Sequence, residues 1–137
     1  MTIAVFDASV AVKWLVTDDR LAPPALAARE RYEASAPRLI QTEVANALWK
    51  YVRLGAVPLD AAVEGVAVLE DVMDLVPDER LLERAQRLSG RIDHPVYDCL
   101  YLVLARDGDA PLVTADRRLA EKSREIGVET LLIGKNT

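Results

Sequence analysis

The chain has 137 residues, of which 51% are apolar and 28% are charged, and this size fits one domain with a buried core. Its 17 basic and 22 acidic residues give a net charge of −5, which argues against a general electropositive surface for nucleic acids. A single Cys and a single His exclude a disulfide framework, a cysteine–histidine zinc site and a two-histidine acid–base catalyst.

The N-terminal segment predicts a protein that is not exported. No basic residues precede the first apolar run, and Asp7 interrupts that run at once, so the segment lacks the form of a signal peptide. The longest unbroken apolar run, residues 99–105, is far shorter than the roughly 20 residues of a membrane helix. With a lone Cys99, these features predict a cytoplasmic location and no membrane association.

Short apolar runs alternate with helical patterns along the chain. In the first half of the chain the predicted elements are a strand at 3–6, a helix at 25–35 after Pro23 and Pro24, a short strand or extended lead-in at 38–40, and helices at 42–54 and 60–73. In the second half they are a strand at 75–76, helices at 78–91 and 95–106, a strand at 111–114, a helix at 116–126 and a strand at 130–133. The strands are too apolar for one exposed face. They predict a mainly parallel sheet covered on both sides, which is a three-layer α/β/α sandwich spanning residues 1–137 as one domain.

Two helix starts carry residues that favour N-terminal capping. Thr42 is predicted to cap the helix at 42–54, which Gly55 ends, and Asp78 is predicted to cap the helix at 78–91. On the first of these helices Glu43 lies on the polar face, where an exposed carboxylate is commonplace. The residues alone therefore leave Glu43 as a surface group.

Three other carboxylates stand in unusual places. Asp7 directly follows the first strand and Asp116 follows the strand at 111–114, so both lie where a parallel sheet presents ligands. Asp98 is the single charge in an otherwise apolar helical stretch, where a carboxylate buried alone is costly. Its replacement by alanine is expected to remove activity and to leave or raise the stability of the metal-free protein. Helix capping by Asp7 or Asp116, and a structural hydrogen bond by Asp98, are the competing interpretations.

Converging acids at one sheet edge repel each other, and a hard divalent cation such as Mg²⁺ relieves that repulsion. Ser9 and Thr114 stand two residues from Asp7 and Asp116, where their hydroxyls could orient a carboxylate. Capping and strand preference explain the same two hydroxyls equally well. The cations predicted near this edge, as candidates for holding phosphate, are Lys13, Arg117 and Arg118.

Four segments in order give the chain a resemblance to a known family. They are Val5-Phe6-Asp7-Ala8-Ser9, the segment 42–48 with Thr-Glu-Val-Ala-Asn-Ala-Leu, the segment 97–105 beginning Tyr-Asp-Cys, and Leu112-Val113-Thr114-Ala115-Asp116. In these segments the chain resembles PIN-domain ribonucleases, in particular the VapC-type toxins of toxin–antitoxin pairs.

The resemblance implies a metal-dependent endoribonuclease. It carries an Mg²⁺ or Mn²⁺ cluster over to Asp7, Glu43, Asp98 and Asp116, with Ser9 and Thr114 in support. It also implies an RNA substrate, a homodimer and inhibition by a small antitoxin protein. Without a side-chain nucleophile, hydrolysis by water would leave 5′-phosphate and 3′-hydroxyl ends.

Two other functions remain open from the sequence. One is a phosphoacceptor receiver-like signalling domain, although Asp7 is single and Lys135 lies beyond the last predicted strand rather than at the expected edge. The other is a non-catalytic PIN-like interaction domain. A stripe of arginines on the helix at 78–91 could track RNA or form a solvated face paired with nearby acids: Arg80, Arg84, Arg87 and Arg91.

Overall fold

The computed structural model describes residues 1–134, and Lys135 lies outside this described part of the chain. The strands are β1 (Ile3–Phe6), β2 (Glu33–Pro37), β3 (Met73–Val76), β4 (Leu112–Thr114) and β5 (Thr130–Leu132). The helices are α1 (Ala8–Ala11), α2 (Ala22–Arg31), α3 (Leu39–Arg53), α4 (Leu59–Val72), α5 (Leu82–Ile92), α6 (Val96–Asp107) and α7 (Arg117–Glu125). Within residues 1–134, no helix is both long enough and apolar enough to cross a membrane.

The five strands form one sheet in the order β3-β2-β1-β4-β5, and the neighbouring pairs are parallel. Consecutive residues of β1 point to opposite faces of the sheet, yet Ala4, Val5 and Phe6 are all at most 1% exposed. Both faces of the central strand are therefore covered, as the apolar strands predicted. The α/β/α sandwich expected from the sequence is confirmed.

The strand order reverses between β1 and β4. From β1 the chain builds the sheet outward to β2 and β3, and it then returns to the other side of β1 for β4 and β5. Phe6 is paired with Val113, and the Asp7 N–H donates to the Val113 carbonyl at 3.2 Å. The carboxyl ends of β1 and β4 thus meet at a switch point, where open α/β sheets form their ligand crevice.

The sequence prediction for residues 25–40 is wrong in two places. The helix ends at Arg31 rather than at Ser35, and residues 33–37 form β2, which pairs with β1 and β3 on its two sides. Residues 38–40 are not a strand, because α3 begins at Leu39. Glu, Ala and Ser have little intrinsic strand preference, so the pairing on both edges imposes the strand at 33–37.

The two predicted helix caps are also wrong. Thr42 lies inside the first turn of α3 rather than before it, and Asp78 begins a 3₁₀ turn (Asp78–Arg80) ahead of α5. The carboxylate of Asp78 instead accepts a hydrogen bond from the Leu39 N–H at 3.0 Å. It therefore caps α3 from a distant part of the chain, which local sequence patterns do not reveal.

Replacing Asp78 by alanine is expected to lower the free energy of unfolding by about 1 kcal/mol, because the first N–H of α3 loses its side-chain acceptor. Thermal unfolding should show a melting temperature about 3 °C lower. The exposed neighbour Glu79 offers a matched control, and its alanine variant should melt like the wild type. Equal melting of both variants would show that the Asp78 bond contributes nothing.

The remaining predicted strands and helices are confirmed with shifts at their ends. Around α5 the apolar side chains of Leu81, Ala85 and Leu88 are at most 3% exposed, and Ile92 at its end is partly buried. Gly55, which the sequence placed at a helix end, and Gly127, which follows α7, have positive φ angles of 77° and 81°. These conformations suit glycine because it has no Cβ.

Candidate functional site

A cavity of about 450 Å³ opens at the carboxyl end of the sheet, beside the switch point. Four carboxylates from four separate segments line it, and we call it the acidic cleft: Asp7, Glu43, Asp98 and Asp116. The other polar side chains that line it are Ser9, Thr42, Asn46, Lys50, Tyr97 and Tyr101. The fold thus gathers the four acids that the sequence analysis singled out.

Two hydroxyls hold the carboxylate of Asp7. Ser9 donates to Asp7 Oδ1 at 2.7 Å, and Thr114 donates to Asp7 Oδ2 at 2.8 Å. Each hydroxyl oxygen in turn accepts a backbone N–H, from Ala115 to Ser9 at 2.8 Å and from Asp116 to Thr114 at 3.0 Å. Because these N–H groups occupy the oxygens, the hydroxyl hydrogens are directed at Asp7. The loop after β4 therefore fixes a carboxylate at the end of β1.

The environment of Asp7 disfavours its charged form. Burial raises the pKa of Asp7 to about 7, against the lowering effect of the hydrogen bonds from Ser9 and Thr114. The nearby charges of Asp116 and Asp98 raise it further. A bound cation would offset both the desolvation and the repulsion.

Glu43 points into the same cleft and does not lie on an open surface. The buried hydroxyl of Tyr101 donates to Glu43 Oε1 at 2.6 Å. Burial raises the pKa of Glu43, with the Tyr101 hydrogen bond lowering it and the charges of Asp98 and Asp78 raising it. The local pattern on α3 predicted a solvent-exposed carboxylate, and the contact with Tyr101 of α6 explains the difference.

Asp98 is neither alone nor fully buried, which corrects the expectation from the sequence. Its side chain is 29% exposed and lies 2.7 Å from Nε2 of His94, whose side chain is only 2% exposed. Nδ1 of His94 has no hydrogen-bond partner among residues 1–134. A proton on Nε2 therefore gives the better arrangement, since it donates to the carboxylate and leaves no buried N–H unpaired. His94 orients Asp98.

Asp116 is an exposed helix cap that also faces the cleft. Its Oδ1 accepts from the N–H groups of Arg118 at 2.9 Å and Leu119 at 3.2 Å. Asp116 therefore does cap α7, as one of the two interpretations from the sequence predicted. The same residue lines the acidic cleft together with Asp7, so capping and a role in the cleft are compatible.

The donor set of the acidic cleft suits a hard divalent cation. Carboxylate oxygens are the ligands that Mg²⁺ and Mn²⁺ prefer, and four of them face one cavity. As the side chains stand, no three Asp, Glu, His or Cys groups of residues 1–134 are close enough to hold one ion together. Mg²⁺ keeps several waters and needs only one or two protein carboxylates plus substrate phosphate, so the residues fit it.

The predicted cations lie around the cleft rather than in it. Lys13 pairs with Asp19 at 2.9 Å, and its side chain is 17% exposed. Arg117 and Arg118 are exposed at the start of α7, directly after Asp116. In the arginine stripe, Arg84 pairs with Asp107 at 2.6 Å and Arg87 with Glu83 at 3.3 Å. These exposed pairs favour the solvated-face interpretation of the stripe.

Sequence reasoning missed several residues that shape the cleft: His94, Tyr101 and Lys50. Two signals were present. Lys50 shares the polar face of α3 with Glu43, and His94 stands four residues before Asp98, where helical neighbours meet. Tyr101 carried no such signal, because an aromatic residue in an apolar helix indicates a core position.

Comparison with known proteins gives one family and several relatives. The model of the PIN domain family matches residues 4–125. The Pyrobaculum aerophilum protein named Ribonuclease VapC3 is 32% identical over 124 residues, covering 86% of this chain and 92% of that protein. The protein named Exonuclease VapC9 from the same organism is 35% identical over 92 residues, covering 66% of this chain and 68% of that protein.

Two solved structures share the fold. The crystal structure of PAE2754 from Pyrobaculum aerophilum has a TM-score of 0.70 and 25% identity, with 94% of this chain and 83% of that one covered. A toxin–antitoxin complex from Klebsiella pneumoniae contains a chain with a TM-score of 0.55 and 18% identity, covering 82% of this chain and 86% of that chain. At 18% identity, the similarity to the second structure shows a shared fold and nothing more.

Proposed function

The chain belongs to the PIN domain family, and on this basis we propose that it is a metal-dependent endoribonuclease that acts as the toxin of a toxin–antitoxin pair. The observation that carries the proposal is the convergence of four carboxylates on one cleft at the switch point of the sheet. The receiver-like signalling domain is not supported, because the chain matches the PIN domain family instead. A purely structural role leaves unexplained why Asp7 is buried among other carboxylates with a raised pKa.

The residues of the cleft have separate roles in the proposed hydrolysis of a phosphodiester bond. A water oxygen attacks phosphorus, the bond to the 3′ oxygen breaks, and the leaving 3′ oxygen takes a proton from solvent, so the products are a 5′-phosphate and a 3′-hydroxyl. A cleft carboxylate accepts the proton of the water. Ser9 and Thr114 hold Asp7 in place, Tyr101 holds Glu43 and His94 holds Asp98. These bonds fix the carboxylates before RNA arrives.

Asp7, Glu43, Asp98 and Asp116 are the residues that would hold Mg²⁺ or Mn²⁺. When bound, such an ion polarises a phosphoryl oxygen and lowers the pKa of a coordinated water. Without a cation the cleft carboxylates repel an anionic RNA backbone. Burial is the main reason that the pKa of Asp7 is raised to about 7, and the negative charges of Asp116 and Asp98 add to the effect.

The test is cleavage of a linear and a circular RNA with Mg²⁺ or Mn²⁺ and with EDTA. We expect cleavage of both substrates, loss in EDTA and recovery on metal addition. Glu43→Gln should lower the rate by about 10²-fold, because it removes one charge from the cleft and keeps its shape. The exposed Glu64 on α4 supplies a matched control, Glu64→Gln, which should cut RNA like the wild type.

Each result has a distinct meaning. Cleavage of linear RNA alone would indicate an exonuclease, the activity in the name of one relative. Activity that persists in EDTA would contradict metal dependence. No cleavage of any RNA by the wild type would contradict the nuclease proposal itself.

The same proposal includes protein partners and a location. By its resemblance to VapC-type toxins, the chain would form a homodimer and bind a small antitoxin in the cytoplasm, where its RNA substrate is found. Exposed apolar side chains on α3 and α4 support a protein contact there, since Trp49 is 51%, Leu59 63% and Val63 61% exposed.

A further inference from the structure

A second cavity of about 540 Å³ lies directly beside the acidic cleft, and we call it the side cavity. The two cavities share three lining residues, Ser9, Ala47 and Lys50. Ser9 is the residue whose hydroxyl holds Asp7. The two cavities therefore adjoin at the residue that holds Asp7, so an RNA chain bound in the acidic cleft would also meet the side cavity.

The walls of the side cavity are mainly apolar, in contrast to the acidic cleft. They include Val12 and Leu21 from the segment after β1, and Tyr51 and Leu54 from the end of α3. Its volume lies in the range of small-ligand pockets. Apolar walls with one aromatic ring suit a nucleobase, because bases of single-stranded RNA stack on such side chains.

The polar groups of the side cavity are hydrogen-bond donors. Lys13 directs its ammonium at Asp19 Oδ2 (2.9 Å) and at the hydroxyl oxygen of Tyr51 (3.4 Å). An ammonium has three hydrogens, and the Tyr51 oxygen accepts one of them, so the Tyr51 hydrogen is directed away from Lys13. Partial burial would lower the pKa of Lys13, but the Asp19 hydrogen bond and the contacts with Tyr51 raise it overall. The ammonium stays charged.

We propose that the side cavity binds the base of the nucleotide next to the scissile phosphate and favours a keto base, guanine or uracil. This inference rests on the proposed ribonuclease function and adds a substrate preference to it. Lys13 and Tyr51 donate to the carbonyl of the base, while the exposed ammonium of Lys50 lies between the cavities near the connecting phosphate. Adenine has an amino group, itself a hydrogen-bond donor, at the corresponding edge, and this group would face the donors of Lys13 and Tyr51 without a hydrogen bond.

The cleavage test uses an RNA pool with randomised bases, and the cut sites are sequenced. The wild type should cut beside guanine or uracil, and Lys13→Met should lower kcat/KM at these sites about tenfold and flatten the base preference. Lys13→Arg should restore part of the preference. Lys122→Met removes a charge on α7 away from both cavities, and it should leave the site profile unchanged.

Binding is tested separately from catalysis. Asp98→Asn with Mg²⁺ and an RNA carrying 4-thiouridine should give photo-crosslinks to the segments 12–21 or 50–54 by mass spectrometry. The inference would be overturned if Lys13→Met melts normally and keeps the wild-type pattern of cut sites, and if the crosslinks lie at other segments. In that case cleavage by the wild type would still support the proposed nuclease. Crosslinks at these segments in Asp98→Asn, together with no RNA cleavage by the wild type, would support binding of a nucleobase in the side cavity and overturn the proposed nuclease.

Discussion

Replacing Asp7 by asparagine is expected to abolish RNA cleavage and to raise the melting temperature of the metal-free protein at pH 8. Activity should fall by on the order of 10³-fold, because the cleft loses the one carboxylate that two hydroxyls hold in place. Stability should rise because the buried charge of Asp7 is the costly form in the absence of a cation.

The pH dependence follows from the pKa of Asp7. The ordinary value is 3.8 and the folded value is about 7, so between these values the folded protein binds the additional proton. This contribution to stability is complete below pH 3.8 and is lost as the pH rises through 7. The loss corresponds to about 4 kcal/mol at most, or roughly 10 °C in melting temperature.

Thermal unfolding in EDTA at pH 5 and pH 8 provides the measurement. The wild type should lose stability between the two values relative to Asp7→Asn, and Mg²⁺ should restore stability to the wild type alone. Asp71→Asn on α4 is a control at an exposed site and should follow the wild type. Parallel pH profiles for the wild type and Asp7→Asn would contradict the charged, buried state assigned to Asp7.

Two substitutions at Asp98 are expected to have equal effects on activity and different effects on stability. Both Asp98→Asn and Asp98→Ala should remove cleavage. Asn keeps an oxygen for the Nε2 hydrogen of His94, and its variant should melt within about 1 °C of the wild type. Ala leaves the buried imidazole without its partner, which costs about 1–2 kcal/mol and lowers the melting temperature by about 3–6 °C.

This expectation reverses the one drawn from the sequence, in which Asp98→Ala leaves or raises stability by relieving repulsion. The difference comes from His94, whose contact with Asp98 outweighs the relief of repulsion toward Glu43 and Asp7. The double variant His94→Phe with Asp98→Ala supplies the check. If the single Asp98→Ala protein melts as high as Asp98→Asn, the His94 contact has no structural role.

The sequence predicted the sheet and the site from signals that are local. At Asp7 the local signal is a buried strand that ends at an acidic residue, and at Asp116 it is a strand followed by a helix cap. Both patterns are visible in a few consecutive residues. Parallel pairing then placed their carboxyl ends together, which the structure bears out. Glu43 entered the predicted cluster only through the family resemblance.

The errors arose where distant contacts decide the structure. Residues 33–36 have the composition of a helix and form a strand because β1 and β3 flank them. Asp78 caps a helix that begins 39 residues earlier in the chain. The spacing of His94 and Asp98 was visible in the sequence, but the burial of His94, which decides its role, depends on the tertiary structure.

The strand order has a consequence for synthesis of the protein. Strand β4 lies between β1 and β5, and the loop after it supplies both the N–H groups that lock Ser9 and Thr114 and the fourth carboxylate. A nascent chain that has not yet released residues 112–116 from the ribosome has an unfinished sheet and an incomplete cleft. The cleft that gathers the four carboxylates is therefore completed only after nearly all of the fold has emerged.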